Sequence, residues 1–133
     1  MSDISIALER YIRQWQRQPF RYGVHDCVRF AVGWVDLRLG SKYLQDLPQW
    51  YPYTNESEAL KIIRENGGLE DLITKHLGVP LPRLLVLEGD IALIDQTEHI
   101  LGIATPHQVV GPSLAGGVIA IPRTFVRCGW RLG

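Results

Sequence analysis

Apolar positions recur at helical spacing from residue 4 to about residue 77, and then give way to short β-branched runs. Ser2 or Asp3 can cap a first helix in which Ile4, Leu8, Tyr11, Ile12 and Trp15 form one face. Glu9, Arg10, Arg13 and Gln14 lie between them, and Pro19 stops it. The stretch from Pro19 to Asp26 has no period and reads as a loop. Asp26 is a strong cap for a second helix, since its carboxylate can accept the free N–H groups of the first turn. Val28, Ala31, Val32, Val35 and Leu39 give that helix its stripe, and Gly40 its stop. Residues 41–54 read as an irregular aromatic segment containing Tyr43, Trp50, Tyr51 and Tyr53. Thr54 or Asn55 caps a helix to about Asn66, ended by Gly67-Gly68, and a short helix follows from Leu69 to Leu77.

Pro80 and Pro82 break this pattern. The runs Leu84–Leu87, Asp90–Ile94, Ile100–Ala104, Gln108–Val110, Val118–Ile121 and Val126–Leu132 are each of strand length, with Gly, Pro, Asp and His between them. Helices first and strands second predict an α+β fold, with the N-terminal helices packed on a small antiparallel sheet or barrel. One domain over residues 1–133 is expected, helical through 79 and β from 80.

A length of 133 residues suits one core. With 46% hydrophobic and 21% charged residues the chain is not disordered. No stretch approaches the ~20 apolar residues of a membrane span. Met1-Ser2-Asp3 opens no basic-then-apolar run, so no secretory signal is expected. Fourteen basic and fourteen acidic side chains cancel, which argues against nucleic acid as a partner and suits a subunit of an assembly. The two cysteines, Cys27 and Cys128, read as thiols of a reducing compartment. With no HExxH or CxxC pattern, neither metal nor cofactor is expected.

Cys27 directly follows the Asp26 cap. Helix N–H groups and dipole favour a negative charge there, so the thiol is expected to ionise more easily than a free cysteine. The alternative is a small apolar residue on the helix's inner face, and both readings stay open. A nucleophilic thiol needs a base. His25 precedes Cys27 by two residues and lines the loop with Tyr22. His76 sits near a helix C-terminus, and His107 follows Pro106 in a turn. His99 stands at the entrance of the strand Ile100–Ala104, where a base is held rigidly; a solvated turn residue is the alternative. Gly89-Asp90 and Gly116-Gly117 read as tight turns. Trp50, Tyr51 and Tyr53 either cover the core or present a sugar- or protein-binding surface.

Taken in order, Pro19-Phe20-Arg21-Tyr22-Gly23, Asp26-Cys27, Gly89-Asp90-Ile91-Ala92-Leu93 and His99-Ile100-Leu101-Gly102-Ile103 resemble the NlpC-type cysteine peptidases of the papain-like clan. With Val126-Arg127-Cys128-Gly129-Trp130-Arg131, the series is similar to a small phage-tail relative of that group, itself a family of unknown function. The resemblance implies a papain-like, NlpC-like fold. It implies Cys27 as nucleophile, His99 as general base within about 3–5 Å of the sulfur, and Asp26, Tyr22 and His25 as cap and support. The Cys27 N–H would be an oxyanion donor. It departs from the family at Phe20, where many members carry tyrosine, and at Val109-Val110-Gly111, where they carry a polar residue that orients the histidine. Two functions follow as expectations. One is a phage tail component, made in the bacterial cytoplasm and carried in the virion among other tail proteins, with weak peptidase chemistry. The other is a dedicated hydrolase of peptidoglycan peptides.

Overall fold

The computed structural model describes residues 2–96 and 99–132; the side chain of His99 lies outside the description. Among the described residues the chain is α+β, with five helices followed by a six-stranded antiparallel sheet. Helix α1 (Asp3–Trp15) is capped by Ser2, whose Oγ accepts the Ser5 N–H at 3.1 Å, and it buries Leu8 and Tyr11. Helix α2 (Cys27–Leu39) starts at Asp26 and ends at Gly40, which takes the left-handed φ of 68° that glycine adopts without a Cβ clash.

The apolar face of α2 differs from the expected stripe. Phe30, Ala31, Trp34 and Val35 are buried, whereas Val28 and Val32 are half-buried and Leu39 is exposed. The cause is that α2 is enclosed on several sides. It packs on the sheet, on α1 and on α3, so one 3.6-period stripe does not describe it. Tyr11 OH donates to Phe30 O at 2.6 Å, and Trp34 Nε1 donates to Gly89 O at 2.8 Å. A Cβ at Gly33 would collide with the Tyr11 hydroxyl, so the close crossing of α1 and α2 requires that glycine.

The segment expected to be irregular contains α3 (Tyr43–Trp50), with Pro48 inside it. Its N-terminus is satisfied from the preceding helix. The Asp36 carboxylate accepts the Tyr43 N–H (2.9 Å), the Leu44 N–H (3.0 Å) and the Ser41 hydroxyl (2.6 Å). Helices α4 (Glu56–Glu65), capped by Asn55, and α5 (Leu69–Leu77) follow as expected.

Strands β1 (Leu81–Pro82), β2 (Ile91–Asp95), β3 (His99–Ala104), β4 (Gln108–Pro112), β5 (Val118–Pro122) and β6 (Val126–Trp130) form an open sheet in the order β1-β6-β2-β3-β4-β5. The strand expected at Leu84–Leu87 is absent. Arg83–Leu85 form a 3₁₀ turn, and of the apolar run only Val86 is buried while Leu84, Leu85 and Leu87 are exposed. The ladder contact falls earlier, where Leu81 and Pro82 pair with Gly129 and Cys128.

Both faces of the sheet are covered. Ile91, Leu93, Leu101, Ile103, Val110, Cys128 and Trp130 meet the helices. Ala92, Ile94, Ala104, Val109, Ile121 and Val126 close a smaller core with Val86 on the other side. Residues 91–94 are therefore buried without a break, which is why β2 shows no apolar–polar alternation.

Candidate active site

The site is organised by the loop before α2. Arg21 and His25 form a tight bridge, with Arg21 N–H to His25 O at 3.0 Å and the reverse bond at 2.9 Å. Gly23, at φ 80°, passes so close to the carbonyl of Tyr53 that a Cβ would strike it. The Asp26 carboxylate draws these parts together. Oδ1 accepts the Arg29 N–H at 2.9 Å, which is the helix cap. Oδ2 accepts the Gly23 N–H (2.9 Å), the Tyr53 hydroxyl (2.6 Å) and Arg29 Nη1 (3.1 Å). Arg29 is itself only 8% exposed, bonds the Tyr53 hydroxyl at 3.0 Å and lies over the Tyr53 ring. Burial and the neighbouring carboxylate hold the Tyr53 phenol protonated well above its ordinary range. The cap was legible in the sequence. The Arg29–Tyr53 part was not, since Tyr53 arrives from the far side of α3.

Cys27 opens α2 and packs against the main core, touching the backbone of Leu101 in β3. Desolvation pushes its thiol from 9.0 up to about 11, and the Asp26 charge adds to this. The backbone of Leu101 and the first-turn amides of Cys27 and Val28 pull the other way but are outweighed. The expectation of an easily ionised thiol is thereby corrected: the helix terminus is present, but the sulfur is too dry for it to prevail.

A cleft of about 400 Å³ opens over Cys27. Phe20 and Tyr22 stand on one side with ring centroids 5.0 Å apart. Tyr51 and Tyr53, helices α4 and α5, and the β4–β5 hairpin complete the walls. Tyr22 thus lines the cleft. His25 does not face it; its ring sits edge-on to Trp15 at 5.4 Å, outside the cleft lining. His76 stacks on Trp50 (5.4 Å, 10°) and its Nε2 meets the Tyr51 hydroxyl at 2.8 Å, with burial lowering its pKa. His107 is an exposed turn residue.

The backbone of His99 opens β3 and pairs with Asp95 across the ladder, in step with Leu93↔Leu101 and Ile91↔Ile103. Position 99 therefore has the same parity along β3 as Leu101, the residue whose backbone meets the thiol. The imidazole, and with it the expected separation from Cys27, lies outside the described residues. Asp95 is the neighbour that sequence reasoning missed. Two short apolar runs with only a few polar residues between them are the signal that would have paired it with His99. Val110 occupies the helix-facing core opposite Ile103 and supplies no polar group.

The family model described as Domain of unknown function (DUF6950) matches residues 1–132. The chain belongs to the DUF6950 family. No curated protein matches it. The identification corrects the resemblance drawn from the sequence: the family that matches is one of unknown function, and neither an NlpC-type membership nor a phage-tail link is shown with it. The motifs behind that resemblance are two to six residues long, and several have local structural roles. Asp26 caps a helix. Gly89-Asp90 is a turn in which the Asp90 carboxylate accepts the Leu87 N–H at 2.8 Å and Arg131 Nη2 at 3.1 Å.

Elsewhere in this DUF6950 chain, Cys128 is shielded in β6. Burial, with Glu70 3.6 Å from its sulfur, pushes its thiol up to about 12. Among the described residues no group of His, Cys, Asp and Glu could hold a metal ion, and no helix is long and apolar enough to cross a membrane.

Proposed function

We propose that the Cys27 cleft is a thiol-dependent hydrolytic site, a peptidase or amidase, with Cys27 as nucleophile and His99 as general base. The observation that supports it is the placement of Cys27. The thiol stands at a capped helix start, borders an enterable cleft, and touches β3 two residues from His99. A papain-like layout, with a nucleophile on a helix start and a base on the facing antiparallel sheet, is part of this proposal and carries no family membership with it. Asp95, across the ladder from His99, is the carboxylate that would orient the imidazole.

A thiol with a pKa of about 11 supplies roughly one thiolate in ten thousand molecules at pH 7. His99 must therefore take the proton as the sulfur attacks. The sulfur bonds the amide carbon, and the imidazolium returns the proton to the departing nitrogen as the C–N bond breaks. Water, deprotonated by the same imidazole, then releases the acid and regenerates the thiol. The N–H groups of Cys27 and Val28 are the donors available to the oxyanion, since those of Arg29 and Phe30 are taken by Asp26.

The test is hydrolysis of simple neutral amides, with peptidoglycan peptides run alongside them, by the wild type, Cys27→Ala and His99→Ala. Turnover lost in both variants supports the dyad, and turnover retained in Cys27→Ala overturns it. A second reading is an assembly subunit, the phage-tail and virion role expected from the sequence, in which the cleft seats a partner segment without cleavage. The high thiol pKa favours it. Normal assembly of particles without the protein would contradict it.

A further inference from the structure

The cleft over Cys27 is walled by Leu60 and Ile63 of α4, Leu72 of α5, and Leu114 and Ile119 of the β4–β5 hairpin. Leu114 is 76% exposed and Ile119 47% exposed at its rim. Among the described residues, the lining contains no lysine, arginine or histidine. Its carboxylates are Asp26, already met by Arg29, Tyr53 and the Gly23 N–H, and Glu56, exposed at the start of α4. An anion entering this space would shed water without gaining a described cation. An apolar group gains about fourfold in affinity for each methylene it buries. The volume, about 400 Å³, lies in the small-ligand range.

We infer that the amide processed at Cys27 is neutral and carries a bulky apolar group, which lodges between α4 and the β4–β5 hairpin, and that anionic amides are excluded. This rests on the hydrolytic reading above and adds a substrate class to it. The same dryness that excludes an anionic ligand also disfavours the thiolate.

The experiment compares alkylation of Cys27 in the full chain by N-hexyl iodoacetamide, iodoacetamide and iodoacetate. Rates are followed by peptide mass spectrometry and normalised to those of glutathione. The normalised N-hexyl rate should exceed that of iodoacetamide at least about tenfold, and iodoacetate should fall at least about tenfold below it. Ile119→Glu, at a partly exposed rim position, should abolish the hexyl preference, read as the ratio of the N-hexyl to the iodoacetamide rate within that variant; Leu60→Glu provides an independent second variant. Glutathione-like ratios, or preference for iodoacetate, would overturn the inference. These ratios do not depend on turnover. The hydrolytic reading fails separately, by loss of His99 dependence, even if the apolar preference stands.

Discussion

Asp26 is 2% exposed, and its carboxylate meets four donors: the amides of Gly23 and Arg29, the Tyr53 hydroxyl and the Arg29 guanidinium. Removing it leaves a nearly buried cation without its anion as well as an uncapped helix. Asp26→Ala should therefore destabilise the fold by about 3–5 kcal/mol, well beyond the ~1 kcal/mol of an ordinary cap. Asp26→Asn keeps an acceptor for the cap and should cost less. Urea unfolding checks both; a loss below about 1 kcal/mol for Asp26→Ala would show that the Arg29 pair adds nothing. Cys27 itself makes a pH prediction. Its thiol is raised in the folded state, from 9.0 to about 11, so the protonated form stabilises the fold below about pH 9. That contribution is lost as pH rises toward 11. The wild type should lose on the order of 2 kcal/mol more than Cys27→Ser over this interval. Parallel pH–stability curves for the two proteins would contradict it.

The elements show what local sequence could and could not reveal. Helices α1, α2, α4 and α5 were legible because their caps lie beside them: Ser2, Asp26 with Gly40, Asn55, and Gly68 with Gly78. Helix α3 was not, because its first-turn amides are satisfied by Asp36 on the preceding helix and Pro48 interrupts its pattern. Asp36→Ala should fray α3 and cost about 1–2 kcal/mol. Faster amide exchange confined to residues 43–47 would register the fraying, and unchanged protection there would refute the tertiary cap. The apolar run Leu84–Leu87 misled for a similar reason. Hydrophobicity marked a strand, but only Val86 faces a core while the backbone turns.

Across the whole molecule, the helical half followed by the sheet was readable from the change of period near Pro80. So was the position of Cys27 at a helix start. The cleft was not, because its walls come from the loop at Phe20, from α4 and α5, and from a hairpin almost a hundred residues later. Nor was the dryness of the sulfur, which reverses the effect that the helix terminus alone would have. The two thiols should differ in reach as well. Cys128 lies buried beside Glu70, whereas Cys27 borders the cleft, so brief iodoacetamide exposure should label Cys27 first. Equal labelling would mean that the cleft does not admit the reagent.

The most direct test of the dyad is the rate of Cys27 alkylation against pH in the wild type and in His99→Asn. A sulfur that hands its proton to His99 reacts below the range set by its own pKa of about 11. The wild type should then show a plateau or shoulder below about pH 8, in the range where histidine titrates, and His99→Asn should lose it. A single rise toward pH 11, the same in both proteins, would show that Cys27 stands alone and that the cleft holds no catalytic pair.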